Sequence, residues 1–364
     1  MLEALLIIAP FILAYTVVAV YAERKVSAFI QDRLGPMEAG RYGIGQTVAD
    51  LLKLIQKEDI VPAAADRWLF KLAPVIIFTA VFSGFAVMPI GPGLIGSHAS
   101  TGVFLLLAII SLDVLGILMA GWGSNNKFSL YGAMRSVAQI ISYEIPLGLA
   151  VLAVVMIAQS LNLEVISFQQ GIHAAQVGTT NYLFGLQFTG IDLTQTGGFM
   201  TWNIFRVPVL TVAFVVFFIS SLAEANRAPF DLPEAESELI GGYHTEYTGF
   251  RWAMLMLAEY GMMLLVSLLA AVLFLGSWNT PLPNIGPLPL ASLTTGEPGT
   301  LAGWLWGAFW LLGKAFFLIF VQMWVRWTYP RLRVDQLMSL CWKYLIPLSL
   351  LVIMFCGVWR LFMF

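Results

Sequence analysis

Six carboxylates, Glu224, Asp231, Glu234, Glu236, Glu238 and Glu246, fall within EANRAPFDLPEAESELIGGYHTEY (residues 224–247), where Arg227 is the only arginine. Crowded carboxylates repel one another, so some of these are expected to hold protons near neutrality. Asp231-Leu-Pro-Glu234 also has capping-box spacing, with Asp231 accepting from first-turn amides and Glu234 reaching back; that structural role competes for these two residues and leaves the other four unexplained. Further ionisable groups lie in or beside apolar runs: Glu23, Asp113, Glu144, Glu224, Glu259 and Lys314. A charge at the centre of a membrane helix costs about 2.5–3.5 kcal/mol on insertion scales, so such a group suggests a function or a specific partner. Glu259 lies roughly 10 Å along its apolar run from the inner end, at 1.5 Å per residue, and Lys314 is near the middle of its own. For Glu144 the helix dipole at a helix start is a competing reason, and Glu23 and Glu224 can equally be interfacial residues at span ends. No nucleophile–histidine pair and no glycine-rich phosphate loop accompanies these groups, so no residue of the chain is assigned a catalytic role. The chemistry they suggest is proton binding and transfer.

The elements that position these groups must lie in a membrane. The chain has 364 residues, 59% hydrophobic and 11% charged, with 26 Phe and 12 Trp, and a mean hydropathy of +0.83; this composition belongs to an integral membrane protein. Cys341 and Cys356 have no CxxC spacing, so neither a cluster ligand set nor a disulfide framework can be read from them. His98, His173 and His244 fall between apolar runs, which argues against a transmembrane haem, and no metal site is expected. The net charge of −2 leaves no basic patch for nucleic acid once topology accounts for the lysines and arginines. In the first run an acid precedes MLEALLIIAPFILAYTVVAVY's apolar stretch and ERK follows it, an order that favours a retained span over a cleaved signal peptide.

About eight apolar stretches reach the roughly 20 residues needed to cross the hydrocarbon core: near 2–22, 69–89, 103–122, 139–159, 203–223, 252–275, 304–325 and 343–363. Pro146 either opens or kinks the fourth. All but three of the 19 basic residues follow the odd-numbered spans, the exceptions being Arg206, Lys314 and Arg360. The positive-inside rule then places loops 23–68, 123–138, 224–251 and 326–342 inside and both termini outside. The expected fold is a single all-α transmembrane domain over residues 1–364. Outer segments such as 177–201 and 279–300 are rich in Gly, Pro and Thr and read as spacers. Within the first inner loop, QTVADLLKLIQK (46–57) puts Val48, Leu51, Leu52 and Ile55 on one stripe and is too short to span. It reads as an amphipathic helix in the interface, or as a surface helix over the span ends. On residues alone, an ion-coupled transporter and a proton-conducting subunit of a larger machine both satisfy the pattern.

Five inner segments, in order, carry a resemblance: AERKVSAFIQDRLGP, QTVADLLKLIQKEDIVP, SNNKFSLYGAMRSVAQIISYEIP, AEANRAPFDLPEAESELIGGYHTEYTG and RWTYPRLRVDQLMSLCWKYLIPLSL. Together they resemble the H-subunit family of respiratory complex I, called NADH dehydrogenase subunit 1 in mitochondria, from the first span to the last. The resemblance implies a membrane subunit without a redox centre, in a proton-translocating NADH:quinone oxidoreductase, where the membrane arm meets the hydrophilic arm. It implies ubiquinone or menaquinone as substrate, entering from the lipid through a tunnel partly made by the first span and the amphipathic helix. FMN and the iron–sulfur clusters would lie in partner subunits, the terminal cluster in those that form the head-group site. Small membrane subunits leading to antiporter-like ones would be its neighbours. By motif, Arg24, Arg33, Phe230, Asp231 and Arg326 would line or flank the tunnel; Asp231, Glu234, Glu236, Glu238 and Glu246 would form a mobile acidic loop; Glu23, Glu144, Glu224 and Glu259 would form a proton path. Pro229 and Pro233 would restrict that loop and Gly241-Gly242 would leave it free to rearrange. The implied location is the bacterial plasma membrane, or the mitochondrial inner membrane. Related membrane-bound hydrogenases and ferredoxin-linked complexes share much of this pattern. Asp113 and the outer segment around 164–201 are not features of the resemblance, and no role follows for them.

Overall fold

The computed structural model describes residues 2–97, 99–186, 190–232, 236–285 and 288–362, and of these only the backbone for 2–9 and 236–237. Helices dominate. The first, α1 (Leu2–Ile30), runs beyond the first apolar stretch, so that Glu23, Arg24 and Ser27 extend its inner end as continuous helix. The amphipathic segment forms α2 (Gln46–Gln56). Asp66 caps α3 (Arg67–Phe85), its side chain accepting from the Trp68 and Leu69 amides. A short hairpin, β1 (Pro89–Gly91) and β2 (Leu94–Ile95), turns through Pro92-Gly93 on the side opposite the charged loops.

The third apolar stretch is two consecutive helices, α4 (Gly102–Ile110) and α5 (Leu112–Gly123), meeting at Ser111. Next, α6 (Lys127–Ala158) starts well before position 139, at an Asn126 cap, and carries Pro146 inside it. It is followed by α7 (Leu163–Gln169), α8 (Asn203–Arg206), α9 (Pro208–Glu224) and the short α10 (Glu236–Leu239). The chain continues with α11 (Gly249–Leu273), α12 (Leu290–Thr295), α13 (Leu301–Thr328) and α14 (Val334–Ser339). A π-helical turn over Leu340–Leu345 leads into α15 (Ile346–Phe362). Pro347 explains the wide turn: it has no N–H to donate back into the preceding turn.

Among the described residues, six helical stretches are long and apolar enough to cross a membrane: Arg67–Phe85, Gly102–Gly123, Lys127–Ala158, Gly249–Leu273, Leu301–Thr328 and Val334–Phe362. Pro208–Glu224 is apolar but shorter, and α1 coincides with the first stretch expected to span. At the centre stands α11, 78% of whose apolar window is buried, against 22% for the last helix. It packs on α3 and α13, while α6 packs on α5, α9 and α15, and α1 leans on α2, α11 and α13.

The outer segments are more than spacers. Gln170, fully buried, donates to Val272 O at 2.8 Å, while its carbonyl accepts from the Asn203 and Gly276 amides at 3.1 Å each. Lys314 donates to the carbonyls of Ser277 and Asn279 at 2.8 and 2.6 Å and lies 4.1 Å above the Trp202 ring. An ammonium has three N–H bonds to place, and these three contacts take them all up. Lys314 is therefore the pin of an outer cap, held by backbone carbonyls and a ring.

Candidate functional site

At the inner end of the bundle, α1 presents Leu13, Thr16, Val17, Val20, Glu23, Arg24 and Ser27 to a cavity of about 680 Å³. Their spacings of three and four put them on one helix face. The cavity is closed from the inner side by α2, through Thr47, Asp50, Leu51, Leu54 and Ile55, which share a face for the same reason. Half of α2's expected apolar stripe looks outward: Val48 and Leu52 are exposed large apolar residues off the cavity, as for a helix at a membrane boundary. Phe250, Trp252, Met256, Leu257 and Tyr260 of α11, with Arg326 and Trp327 of α13, complete the walls. Their chemistry is apolar over most of the length and ionic at one place.

Arg24 donates to Asp50 at 2.7 Å, joining α1 to α2. Partial burial would raise the Asp50 carboxyl, but the Arg24 hydrogen bond and charge, with help from Lys53 and Gln46, hold it below the usual carboxylate range. Deeper in, Arg227 Nη1 donates to both oxygens of Glu23 at 3.1 Å each, and Arg227 Nε forms an ion pair with Glu259 at 3.2 Å. The guanidinium lies 4.5 Å over the Tyr260 ring, and Tyr260 donates its hydroxyl proton to Glu23 at 2.7 Å. Arg326 also donates to Glu23. Two carboxylates and two guanidiniums thus balance in a nearly dry cluster, the side chains of Arg227 and Glu23 being 3% and 7% exposed. Burial works against the Arg227 charge, yet Glu259 and Glu23 hold it firmly protonated.

The acidic segment is less crowded than its sequence suggests. Arg331 pairs with Asp231 at 2.9 Å, Arg135 with Glu238 at 2.6 Å, and Asn126 Nδ2 donates to Glu246 at 2.5 Å. Each of these carboxylates has its own partner on a different element. Glu234 lies outside the described residues, as does the Glu236 side chain. Asp231 serves an ion pair, and the capping box it was expected to form with Glu234 lies outside the described residues. Phe230 meets the Tyr143 ring edge-on at 5.2 Å, the Ala228-Pro229 peptide is cis, and Leu332 donates to Pro229 O at 3.1 Å. Gly242 allows a close approach of backbones: a Cβ on Gly132 of α6 would lie 2.6 Å from Gly242 Cα. Tyr247 stacks on Phe70 at 4.2 Å and donates to Phe70 O at 3.1 Å; burial raises its hydroxyl above the ordinary tyrosine range despite the nearby Arg251.

The expected tunnel residues therefore separate. Arg24 and Arg326 line the cavity; Phe230 and Asp231 lie in the loop beside α6 and the chain after α13, and Arg33 is an exposed residue donating to Gln31 at 2.6 Å. The four expected proton-path carboxylates form two groups. Glu23 and Glu259 meet through Arg227. Glu144 accepts from Ser111 and acts electrostatically on Glu224, as does Asp113. The turn Glu224–Arg227 joins the groups. Tyr260 and Arg227 are the members that motif reading passed over; their signal was present, since Tyr260 follows Glu259 and Arg227 is the one arginine of the acidic segment. Among the described residues no three His, Cys, Asp or Glu side chains are arranged to hold a metal ion.

Comparison with known proteins agrees with the resemblance over nearly the whole chain. A family model described as NADH dehydrogenase matches residues 2–357. The chain is 62% identical to a second H subunit of NADH-quinone oxidoreductase of Cytophaga hutchinsonii over 98% of both chains. It is 51% identical to the NADH-quinone oxidoreductase H subunit of Chlorobaculum parvum, over 98% of this chain and 90% of that one. Against the H subunit of NADH-quinone oxidoreductase of Bacteroides fragilis strain YCH46 it is 44% identical, over 93% and 85%. With these relatives, the five inner motifs and an all-helical membrane architecture in agreement, the chain belongs to the NADH dehydrogenase family of membrane subunits that includes the H subunit of NADH-quinone oxidoreductase.

Proposed function

We propose that this chain forms the quinone tunnel and the first part of the proton path in a proton-translocating NADH:quinone oxidoreductase of the bacterial plasma membrane, spanning it eight times with both termini outside. The observation that carries the reading is the cavity of about 680 Å³ between α1, α2, α11 and α13, apolar along its walls and ending on Glu23, Arg24, Tyr260 and Arg326. A quinone has this division of chemistry, an apolar tail and a polar, redox-active head. The tail fits the α1–α2–α11 walls, and the head travels past the ionic cluster toward partner subunits that hold the clusters and the flavin.

Reduction of a quinone takes up two electrons and two protons. The electrons come from the partner subunits. The protons and the charge they compensate act on a group whose members are linked, so Glu23, Glu259, Arg227 and Arg326 respond together. Arg227, bonded to Glu23 and paired with Glu259, is placed to pass a change at the cavity wall to α11 and, three residues along the chain, to Glu224. The acidic loop carrying Asp231, Glu234, Glu236, Glu238 and Glu246 belongs to the same response, with Arg331 holding Asp231 and Arg135 holding Glu238 in this conformation.

A photoreactive quinone with its reactive group on the tail tests this in the complex extracted gently from its native membrane. Labelled peptides from α1, α2 and α11, competed away by excess quinone, are the expected result. Labelling confined to other subunits would overturn the tunnel assignment. Mass spectrometry of the same complex identifies the partners: flavin- and cluster-bearing NADH dehydrogenase subunits support the reading, and a nickel hydrogenase subunit rejects NADH as donor.

A further inference from the structure

Topology leaves three basic residues off the inner face: Arg206, Lys314 and Arg360. Lys314 is accounted for by the carbonyls of Ser277 and Asn279 and by the Trp202 ring. Arg206 is not. It ends α8 with only 8% of its surface exposed, and its Nε is buried without a hydrogen-bond partner among the described residues. The charge that acts on it there is another cation, Arg360. A guanidinium carries five N–H donors and does not give up its charge in a protein. Buried charges are held by a group of opposite sign, and among the described residues none stands beside Arg206.

Its depth says what that group is. From Glu224 at the inner end, the 17 residues of α9 carry the chain about 25 Å at 1.5 Å per residue. The hydrocarbon core is about 30 Å thick, so Arg206, just before Pro208, lies close to the opposite boundary, where lipid phosphates begin. Beside α9 packs α15, which arrives from the inner side and holds Arg360 in its last turn. The turn Leu183–Gly185 packs on α8, and Phe184 O accepts from Trp359 Nε1 at 3.2 Å, which brings α8 and the outer end of α15 to one place. On the same two helical ends Phe205, Val212, Val358 and Leu361 are exposed. Two guanidiniums thus lie at the membrane boundary above an apolar flank.

We propose that Arg206, with the Arg360 charge beside it, binds the phosphodiester of an anionic phospholipid of the outer leaflet bidentately. Phosphate oxygens match the planar fork of a guanidinium, which takes two of them in parallel hydrogen bonds, and a phosphodiester brings the missing negative charge. The acyl chains then lie along Phe205, Val212, Val358 and Leu361. A zwitterionic headgroup would carry an ammonium toward Arg360, so a headgroup with no cation of its own fits better. Free phosphate offers the same oxygens and nothing for the apolar flank. The inference uses α9 and α15 as membrane spans and no part of the quinone reading.

The test uses the whole complex, washed free of loosely held lipid and placed in phosphatidylcholine vesicles. The vesicles contain a trace of phosphatidylglycerol with a photoreactive acyl chain or, separately, of phosphatidylcholine with the same chain. After illumination, labelled peptides are located by mass spectrometry, and NADH oxidation with a water-soluble acceptor confirms assembly. Phosphatidylglycerol is expected to label peptides containing residues 205–212 or 358–362 several-fold more than phosphatidylcholine does. That excess is expected to vanish in Arg206→Gln and to shrink in Arg360→Gln. Equal labelling by the two lipids, labelling confined to other subunits, or an excess that survives Arg206→Gln would overturn the site. An excess removed by inorganic phosphate in the buffer would assign it to free phosphate and overturn the lipid. Should Arg206→Gln not assemble, Arg206→Lys decides, since it keeps the charge and loses the fork: a reduced excess supports bidentate binding, and an undiminished one overturns it.

Discussion

Tyr260 and Glu23 show how much of this protein's chemistry is decided by single contacts. Glu23 is the acceptor for Arg227, Arg326 and Tyr260 at once. Removing one member of a buried ion pair leaves the other charge uncompensated, at about 3–5 kcal/mol, so Glu23→Gln is expected to lower the amount of assembled complex, read by immunoblot of the membrane and by its thermal inactivation. Tyr260→Phe is milder: the ring stays under Arg227 and a hydrogen bond to a charged group is lost, worth about 1.5–3 kcal/mol. Assembly is expected to survive, with quinone reductase activity reduced several-fold and activity toward a water-soluble acceptor intact. If Tyr260→Phe kept full quinone turnover, the hydroxyl would have no part in the cluster's response. The sequence points to Glu23 and Glu259 because charge in an apolar run is conspicuous; it is silent about Arg227 bridging them, because their separation in the chain exceeds any local spacing rule.

At the scale of elements, helix identity was legible and helix contact was not. Apolar length located the stretches that became α3, α6, α11 and α13, and 3.6-residue periodicity located α2 to within a residue of Gln56. Two-sided use of α2 was not legible: Leu51 and Leu54 face the cavity while Val48 and Leu52 face outward, a division that depends on where α1 and α11 stand. The acidic segment shows the same limit, since carboxylates close in sequence are drawn apart by Arg135, Arg331 and Asn126 from three other places in the chain. Gly132 gives an element-scale prediction. A Cβ there meets Gly242 Cα at 2.6 Å, and backbone cannot swing aside as a side-chain tip can. Gly132→Ala is expected to push the turn at Gly242 off α6, destabilising the region by about 1–3 kcal/mol. Faster proteolysis within 236–248 in the isolated complex checks it, and protection equal to wild type would show that the contact has slack.

For the whole molecule the question is whether the two ionisable groups act as one path. Glu23 lines the cavity and is joined behind it to Arg227 and through that to Glu259, whereas Glu144, Glu224 and Asp113 belong to α6, α9 and α5; the turn Glu224–Arg227 connects the two groups. Serial and parallel arrangements make different predictions for a double-mutant cycle. In a series, a proton stopped at Glu259 never reaches Glu224, so Glu224→Gln and Glu259→Gln together are expected to lose no more coupled turnover than the worse single variant. In parallel, the two losses would multiply. The cycle is readable because Arg227 keeps Glu23 when Glu259 becomes glutamine, so the double variant is no more exposed to a buried unpaired charge than Glu259→Gln alone. Protons moved per electron, measured in sealed membrane vesicles, separates a blocked path from slowed chemistry: a series predicts that it falls in both single variants and stays at that level in the double. Additive losses with an unchanged ratio would instead mean that the groups tune quinone reduction from two sides and that the turn between them carries no proton signal.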